Sequence, residues 1–422
     1  MTDQFDIVVV GGGIAGLVAG ITAAEGGSTV AVLDSHAAGG RARTTVRDGY
    51  HYNIGPHALY LAGSLLPFLV ARGVEPHGGM PDTTHVRLLR DGALHPLSFG
   101  ARDIATTKLL RPRSRVRILS LLARVPRMKP ERFVGMPWAE FLGNEPDDVA
   151  GLLAMLVRTG TYVNAPATFD AGAAIMQLQA ALRGVRYLDG GWQTIVHSLR
   201  GVLAKAGGVL FEDRAALSMQ SDRGVDIDTS RGPVHSKAAV VAGLAPDAVT
   251  RLTDAAIGGR DRLGGVVHAA ALDLALRREH HGLVLGIDQP LYLSPHAPVA
   301  ALAPTGAGLV SLLRYTPDGE VGSADEDRAQ LRELAAMSGI ADDVIVHERY
   351  LHRLVVANGH PAAAGGGLAG RPTVDALGLD DVFIAGDWVG RDFQLADASA
   401  ASAQAAAQRA LAVVRGRSRV VA

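Results

Sequence analysis

The sequence predicts an α/β fold in which a Rossmann-like dinucleotide-binding unit is interleaved with a second, mixed-sheet α+β unit. Three observations carry that expectation. Near the start, "DIVVVGGGIAGLVAG" sets an apolar run against a Gly-x-Gly-x-x-Gly loop. Much later, "VFIAGDWVGRDFQLADAS" (Val382 to Ser399) repeats the order strand, glycine–acid turn, helix start. Between them, alternating patches such as "GGVVHAAALDLAL" and "PLYLSP" read as strands of a different sheet.

The bulk numbers fit that plan. A chain of 422 residues can bury a large core in two lobes. A net charge of −1 gives no case for nucleic acid as a partner. The absence of cysteine excludes disulfides, thiolate metal sites and cysteine nucleophiles, and leaves the compartment undecided. Ile7 to Ala24 is apolar, but Asp3 and Asp6 precede it and a glycine triplet interrupts it. It therefore reads as a buried strand and helix rather than a signal segment, and a cytoplasmic protein is expected.

Taken in order, Ile7 to Val10 is the continuous apolar run of a strand buried on both faces. Gly11 permits the tight turn, Gly13 lets backbone approach a pyrophosphate, and Gly16 lets the helix pack close to the strand. Ile14 and Ala15 open that helix, whose N-terminus faces the phosphates with free N–H groups and a favourable dipole. "STVAVLD" is the second strand, and it ends at Asp34, an acid placed to accept hydrogen bonds from ribose hydroxyls. An ordinary glycine-rich loop would leave Asp34 unexplained. "AAGGRARTTVRDGYHYNIGPHALY" follows, with Gly39, Gly40, Arg41 and Arg43 adding a glycine turn and two guanidiniums near the phosphates.

With these residues the chain resembles the flavoprotein superfamily of amine oxidases, protoporphyrinogen oxidases and carotenoid (phytoene) desaturases, closest to the phytoene desaturase-like oxidoreductases. The resemblance implies an FAD-binding domain of the glutathione-reductase-2 type, with non-covalent FAD expected. It implies that Gly40 and Arg41 follow the acid as in the family, and that Gly55-Pro56-His57 is the turn lying against the flavin ring. Asn53 departs from the family, where many members have an acid. "YLDGGWQTIVHSL" looks like the second nucleotide segment, with Gly190-Gly191-Trp192 starting a helix and the strand near Ala216 and Leu217 offering backbone to the adenine. In the late unit, the resemblance assigns Gly386 and Asp387 to the ribityl and pyrophosphate region. Leu395 and Ala396 begin a helix whose N-terminus points at the flavin's pyrimidine edge, where it favours negative charge. The match covers about residues 5–60, 185–250 and 375–412. The expected domains are 1–78, 186–261 and 371–422 for FAD, and 79–185 and 262–370 for substrate.

In the second domain, "GLLAMLVRTGTYV" and "ATFDAGAAIMQLQAAL" read as helices whose Leu, Met and Ala suit either a core or the wall of a site for an apolar ligand. "RPRSRVRILSLLARVPRMKPERF", residues 111–133, is the one strong charge cluster. It reads first as a solvated helix at the lobe's edge, and second as a basic amphipathic helix touching an anionic membrane through 111–132.

Amine oxidases of the superfamily commonly place a lysine near flavin N5. The chain has four lysines, and none follows Lys237. By rough alignment His268 falls near the lysine position and is a candidate proton relay, though a histidine on a strand is more often structural. His57, beside the flavin turn, is the second catalytic candidate, for orienting substrate or carrying a covalent flavin link. His352, His360 and Tyr315 are ligand or core candidates. No metal spacing occurs. The missing lysine argues for a desaturase- or dehydrogenase-like enzyme that takes hydride from a largely apolar small molecule and passes electrons to oxygen or another acceptor. The alternatives are a flavin amine oxidase without the usual lysine acting on an amine, a non-redox flavin-dependent isomerase or cyclase, and a non-catalytic FAD-binding protein.

Overall fold

A computed structural model describes residues 3–97 and 99–421, with side chains as far as residue 417. Two seven-stranded sheets organise it. In the first, Val209–Phe211, Val30–Leu33, Asp3–Val10 and Val234–Ala242 lie side by side and parallel. The last of these strands has two successive neighbours. Val234–Ser236 pairs with Val225–Ile227 of a hairpin, and Ala239–Ala242 then pairs in parallel with Val382–Ala385. The late strand therefore joins the sheet next to the strand that neighbours the first one, although more than 370 residues separate them in sequence. Ile7, Val8 and Val9 are fully buried, as strands covered on both faces require.

Helices cover one face of this sheet. The first helix, Ile14–Glu25, packs with Gln193–Lys205 and with the long C-terminal helix, Leu395–Val421. Ala400, Ala403, Ala406, Ala407 and Ala410 are fully buried in that cluster, so small side chains bring the two helix axes close. Among the described residues no helix is long and apolar enough to cross a membrane.

The second sheet runs in the order Ile345–Ala357, Val267–Leu276, Gly308–Tyr315, Leu291–Ala297, Leu283–Gly286, Val86–Arg90, Ala93–Pro96. It is antiparallel except for the parallel pair Leu283–Gly286 and Val86–Arg90, and so it is mixed, as expected from the alternating patches. One face carries Val267, Ala269, Ala271, Leu283, Leu285 and Tyr292 and packs on helices Asp147–Thr161 and Ala171–Leu182. The other carries Ala270, Leu272, Leu274 and Leu293 and packs on Ala324–Met337. The halves are clamped by Arg349, which pairs with buried Asp273 (Nε to Oδ2, 3.0 Å) and also donates to the carbonyl of Asn53.

Candidate functional site

The glycine loop is built by exclusion. Gly11 has φ +110°, and a Cβ there would overlap the carbonyl oxygen of Ala242 on the neighbouring strand. A Cβ at Gly16 would overlap the carbonyl oxygen of Gly11, so the first helix meets its strand at backbone contact. Gly13 caps that helix without any side-chain hydrogen bond, leaving its first N–H groups open. The second glycine turn backs onto the first: Gly39 N–H donates to Gly12 O (2.9 Å), and a Cβ at Gly40 would lie 3.7 Å from Gly13 Cα. Asp34 accepts from Gly12 N–H (2.7 Å) and His36 N–H (2.9 Å), one bond on each oxygen, and keeps further lone pairs for a ligand.

The late unit meets this loop from across the sheet. Asp387 is buried and accepts from Arg41 Nη1 (3.0 Å), Asn358 N–H (2.8 Å) and Asn358 Nδ2 (3.0 Å). Burial alone would push its carboxyl up, but Arg41 and Asn358 outweigh that and hold it below the ordinary range. The pair fixes Arg41, whose Nη1 also donates to Val356 O (2.8 Å) and whose side chain stays 35% exposed on the cavity side. Buried Arg371 staples the intervening loop by donating to the carbonyls of Asp387, Gly390, Asp392 and Phe393. That loop ends in strain: Phe393 has φ +60° and Leu395 φ +55°, conformations that non-glycine residues adopt only when held. Gln394 supplies part of the hold, donating to Ala173 O (3.1 Å).

A cavity of about 800 Å³ joins these parts and continues between the sheets. Its walls include Gly11, Gly13, Ile14, Ala15, Asp34, Gly40, Arg41, Pro56, His57, Asp387, Leu395 and Ala396. Residues far apart in sequence are thus brought to one space. Gly16, Gly55 and Gly386 lie just behind its walls. Gly16 meets the strand. Gly55 has φ +75°, with Leu354 where a Cβ would go, and Gly386 N–H donates to Ser402 Oγ (3.0 Å).

Two expected residues fall elsewhere. Leu217 does not line the cavity and is 62% exposed; Ala215 and Ala216 line it instead. The cause is a bulge between Ala216 and Ser218, which leaves Leu217 unpaired and turned outward. His268 does not line the cavity either. Its neighbours Val267 and Ala269 belong to the face that packs toward the cavity, so the alternation of the strand sends His268 to the opposite face. No residue of that strand lines the cavity; Val267, Ala269 and Ala271 lie on the face toward it, as by the same alternation does Asp273, which is taken by Arg349.

His57 does line it. Its ring lies edge-on to Trp192 (5.1 Å between centroids), and Nδ1 is 3.0 Å from Gly55 O. Burial lowers its pKa, so the imidazole is neutral at pH 7. The three other histidine and tyrosine candidates do not line the cavity. His360 ties Thr168 to Gly265 O, Tyr315 is core, and His352 is exposed.

Sequence reasoning missed a tyrosine set. Tyr60, Tyr162, Tyr187 and Tyr292 all line the cavity between the glycine loops and an apolar end formed by Phe99, Leu122, Val125, Leu156, Leu178, Leu182, Leu283 and Leu285. Tyr162 ends its helix in a left-handed conformation (φ +62°) and donates to Pro56 O (3.0 Å), bracing the expected flavin turn. Their spacing in sequence gives no sign of this, because sheet pairing and a helix terminus bring them together.

The residues present fit FAD. Two glycine turns back to back, an open helix N-terminus, Asp34, Arg41 and an unpartnered buried Trp192 indole N–H lie along one elongated space.

Comparison with known proteins agrees with this architecture. Residues 9–68 match the NAD(P)-binding Rossmann-like domain family. No curated protein sequence matches the chain. Among solved structures, an oxidoreductase from Methanosarcina mazei superposes with a TM-score of 0.75 at 16% identity, covering 95% of this chain and 99% of its own. A putrescine oxidase redesigned in its cofactor binding gives 0.74 at 15% identity, covering 98% and 100%. Cyclohexylamine oxidase from Brevibacterium oxydans gives 0.70 at 15%, covering 98% and 99%. The chain therefore shares, over its whole length, the two-sheet fold of these oxidases, with a dinucleotide-binding Rossmann domain at its start.

Proposed function

We propose that the chain is an FAD-dependent oxidoreductase of desaturase or dehydrogenase type that takes a hydride from a neutral, largely apolar small molecule. The observation that carries the substrate reading is the cavity lining. Its charged side chains are Asp34, Arg41, Arg214, Asp387 and Asp397, all from the nucleotide-binding segments. The far end has none, and an unpaired ammonium substrate there would lack a counter-charge. On this reading residues 1–78, 186–261 and 371–422 hold FAD, and 79–185 and 262–370 hold substrate.

Bound FAD would supply the hydride acceptor, and reduced cofactor would pass its electrons to oxygen or another acceptor. The chain's residues do the rest. The glycine turns, Asp34 and Arg41 bind and orient the nucleotide. The start of the C-terminal helix offers N–H groups to developing negative charge. The Gly55-Pro56-His57 turn, braced by Tyr162, limits where a substrate carbon can sit. Phe99, Leu122, Leu283 and Leu285 exclude water. His57 is neutral and orients rather than ionises.

The structural likeness to putrescine and cyclohexylamine oxidases favours amine oxidation as a second reading. The alanines at the expected lysine strand and the uncharged far end count against it for diamines. The purified protein should carry flavin absorbance bands and release FAD on heating. A colourless protein that takes up no FAD overturns the proposal. Cofactor bleaching and peroxide release with putrescine would move the assignment to amine oxidase.

The basic segment 111–132 fits first a solvated helix at the lobe's edge and second a peripheral contact with an anionic surface. Helix Pro112–Arg124 exposes Arg113 and Arg124, with the capping Arg111 also exposed, while Ile118 and Leu121 are buried and Leu122 lines the cavity. Most of its apolar stripe is used inside the protein, with Val116 left exposed, so any such contact is mainly electrostatic.

A further inference from the structure

The cavity's far end is apolar but not without hydrogen-bonding groups, and most of those are already committed. Tyr60 Oη donates to Gly160 O (2.7 Å), Tyr162 Oη to Pro56 O (3.0 Å) and Thr159 Oγ1 to Met155 O (2.9 Å). Thr83 is exposed at the rim. Among the described lining residues of this end, that leaves Tyr187 and Tyr292, both buried.

These two are bonded only to hydroxyls. Tyr187 Oη lies 3.1 Å from Tyr292 Oη and 2.8 Å from Ser294 Oγ. Ser294 has one further acceptor, Pro295 O, at the long distance of 3.5 Å. The row can be polarised either way. If Ser294 donates to Tyr187 and Tyr187 to Tyr292, the Tyr292 O–H can turn either back to Ser294 or to a ligand. If the row reverses, Tyr292 is left as an acceptor. The Tyr292 and Ser294 hydroxyls also interact, which couples the row's two ends but commits neither to backbone. Stacking of the Tyr187 ring on His296 (4.0 Å, 8°) and the pairing of neighbouring strands fix the row in place. Apolar ligand cavities characteristically carry a few such groups, and those groups set orientation.

We propose that the Tyr187–Tyr292 hydroxyl pair, backed by Ser294, recognises an uncharged oxygen function, a hydroxyl or a carbonyl, on an otherwise apolar substrate. The inference deepens the apolar-substrate reading above and rests on it. A row that can end as donor or acceptor accommodates both oxygen states, whereas a backbone amide or carbonyl would select one. The two tyrosines thus determine which carbon is presented to the cofactor, by anchoring the substrate's one polar atom.

The test uses three probes with one carbon skeleton: acetophenone, 1-phenylethanol and ethylbenzene. Each is titrated into the FAD-loaded protein, and binding is read by calorimetry and by the shift of the flavin absorbance band. A purely apolar cavity prefers ethylbenzene, the least hydrated of the three. The anchor reverses that order: both oxygenated probes bind more tightly than ethylbenzene in the wild type. Tyr292→Phe, which keeps the ring, weakens them about tenfold and leaves ethylbenzene unchanged, so that ethylbenzene becomes the tightest. Ethylbenzene binding tightest in the wild type overturns the anchor while leaving the apolar-substrate reading intact. Equal loss of all three probes in Tyr292→Phe also overturns the anchor. Failure of every probe to bind wild-type protein overturns the apolar-substrate reading, and this inference with it.

Discussion

Two carboxylates in the cavity have opposite electrostatics. Asp387 is held ionised by Arg41 and Asn358, so its contribution to stability is present above the ordinary carboxylate range and is lost only as pH falls through its lowered value. Asp387→Asn removes the charge that fixes Arg41. It should cost about 3 kcal/mol and reduce the flavin retained through gel filtration, read as a lower melting temperature and a lower visible-to-ultraviolet absorbance ratio. Asp397, in the first turn of the C-terminal helix, has no cationic partner among the described residues. Its carboxyl accepts from Leu65 N–H (2.9 Å), and burial pushes its pKa up to about 6. A raised carboxyl favours the folded state when protonated, so stability falls as pH rises from the ordinary value of about 4 through about 6. Asp397→Asn should therefore melt higher than wild type at about pH 8, by on the order of 1–3 kcal/mol, and the two curves should converge near pH 4.

At the scale of elements, the interlock of first and last helices is the most sensitive feature. Leu411 sits where a Cβ on Gly26 would go, and Ala406 is fully buried. Ala406→Leu should over-pack this contact and lower stability by about 1–3 kcal/mol in urea unfolding. The basic helix responds differently, because most of its apolar stripe is inside. Sedimentation with anionic vesicles at low ionic strength should disappear by about 0.5 M salt, and zwitterionic vesicles should bring down none. These elements also show what sequence carries. The first glycine loop and the late Gly386-Asp387 turn are legible because local backbone chemistry dictates them: an apolar run, a glycine that cannot bear a Cβ, an acid at the strand's end. The outward turn of Leu217 was not, since a bulge shifts register without leaving a mark in the residues. His268 was misjudged because alignment by segment does not fix which face of a strand a residue occupies. The tyrosine set was invisible, because Tyr187 and Tyr292 meet only through sheet pairing.

For the molecule as a whole, the cavity is walled by both sheets, and Arg349 ties the second sheet, through Asp273, to the Tyr50–Asn53 strand through the carbonyl of Asn53. A cofactor bound there stabilises the entire fold rather than one lobe. Stripping FAD should lower the melting temperature of a single transition, and free FAD at about a thousand times its dissociation constant should restore about 4 kcal/mol. Two separate transitions, only one of them flavin-dependent, would show that the lobes unfold independently.

The pairing of Arg41 with Asp387 also sets a timetable for biosynthesis. During translation the dinucleotide loop leaves the ribosome hundreds of codons before its partner. The nascent chain must shelter Asp3–Val10 and its helix without the strand and helix that later complete their packing. On the FAD reading, cofactor loading would therefore follow elongation, and stalled polypeptides ending before residue 380 should emerge without bound flavin.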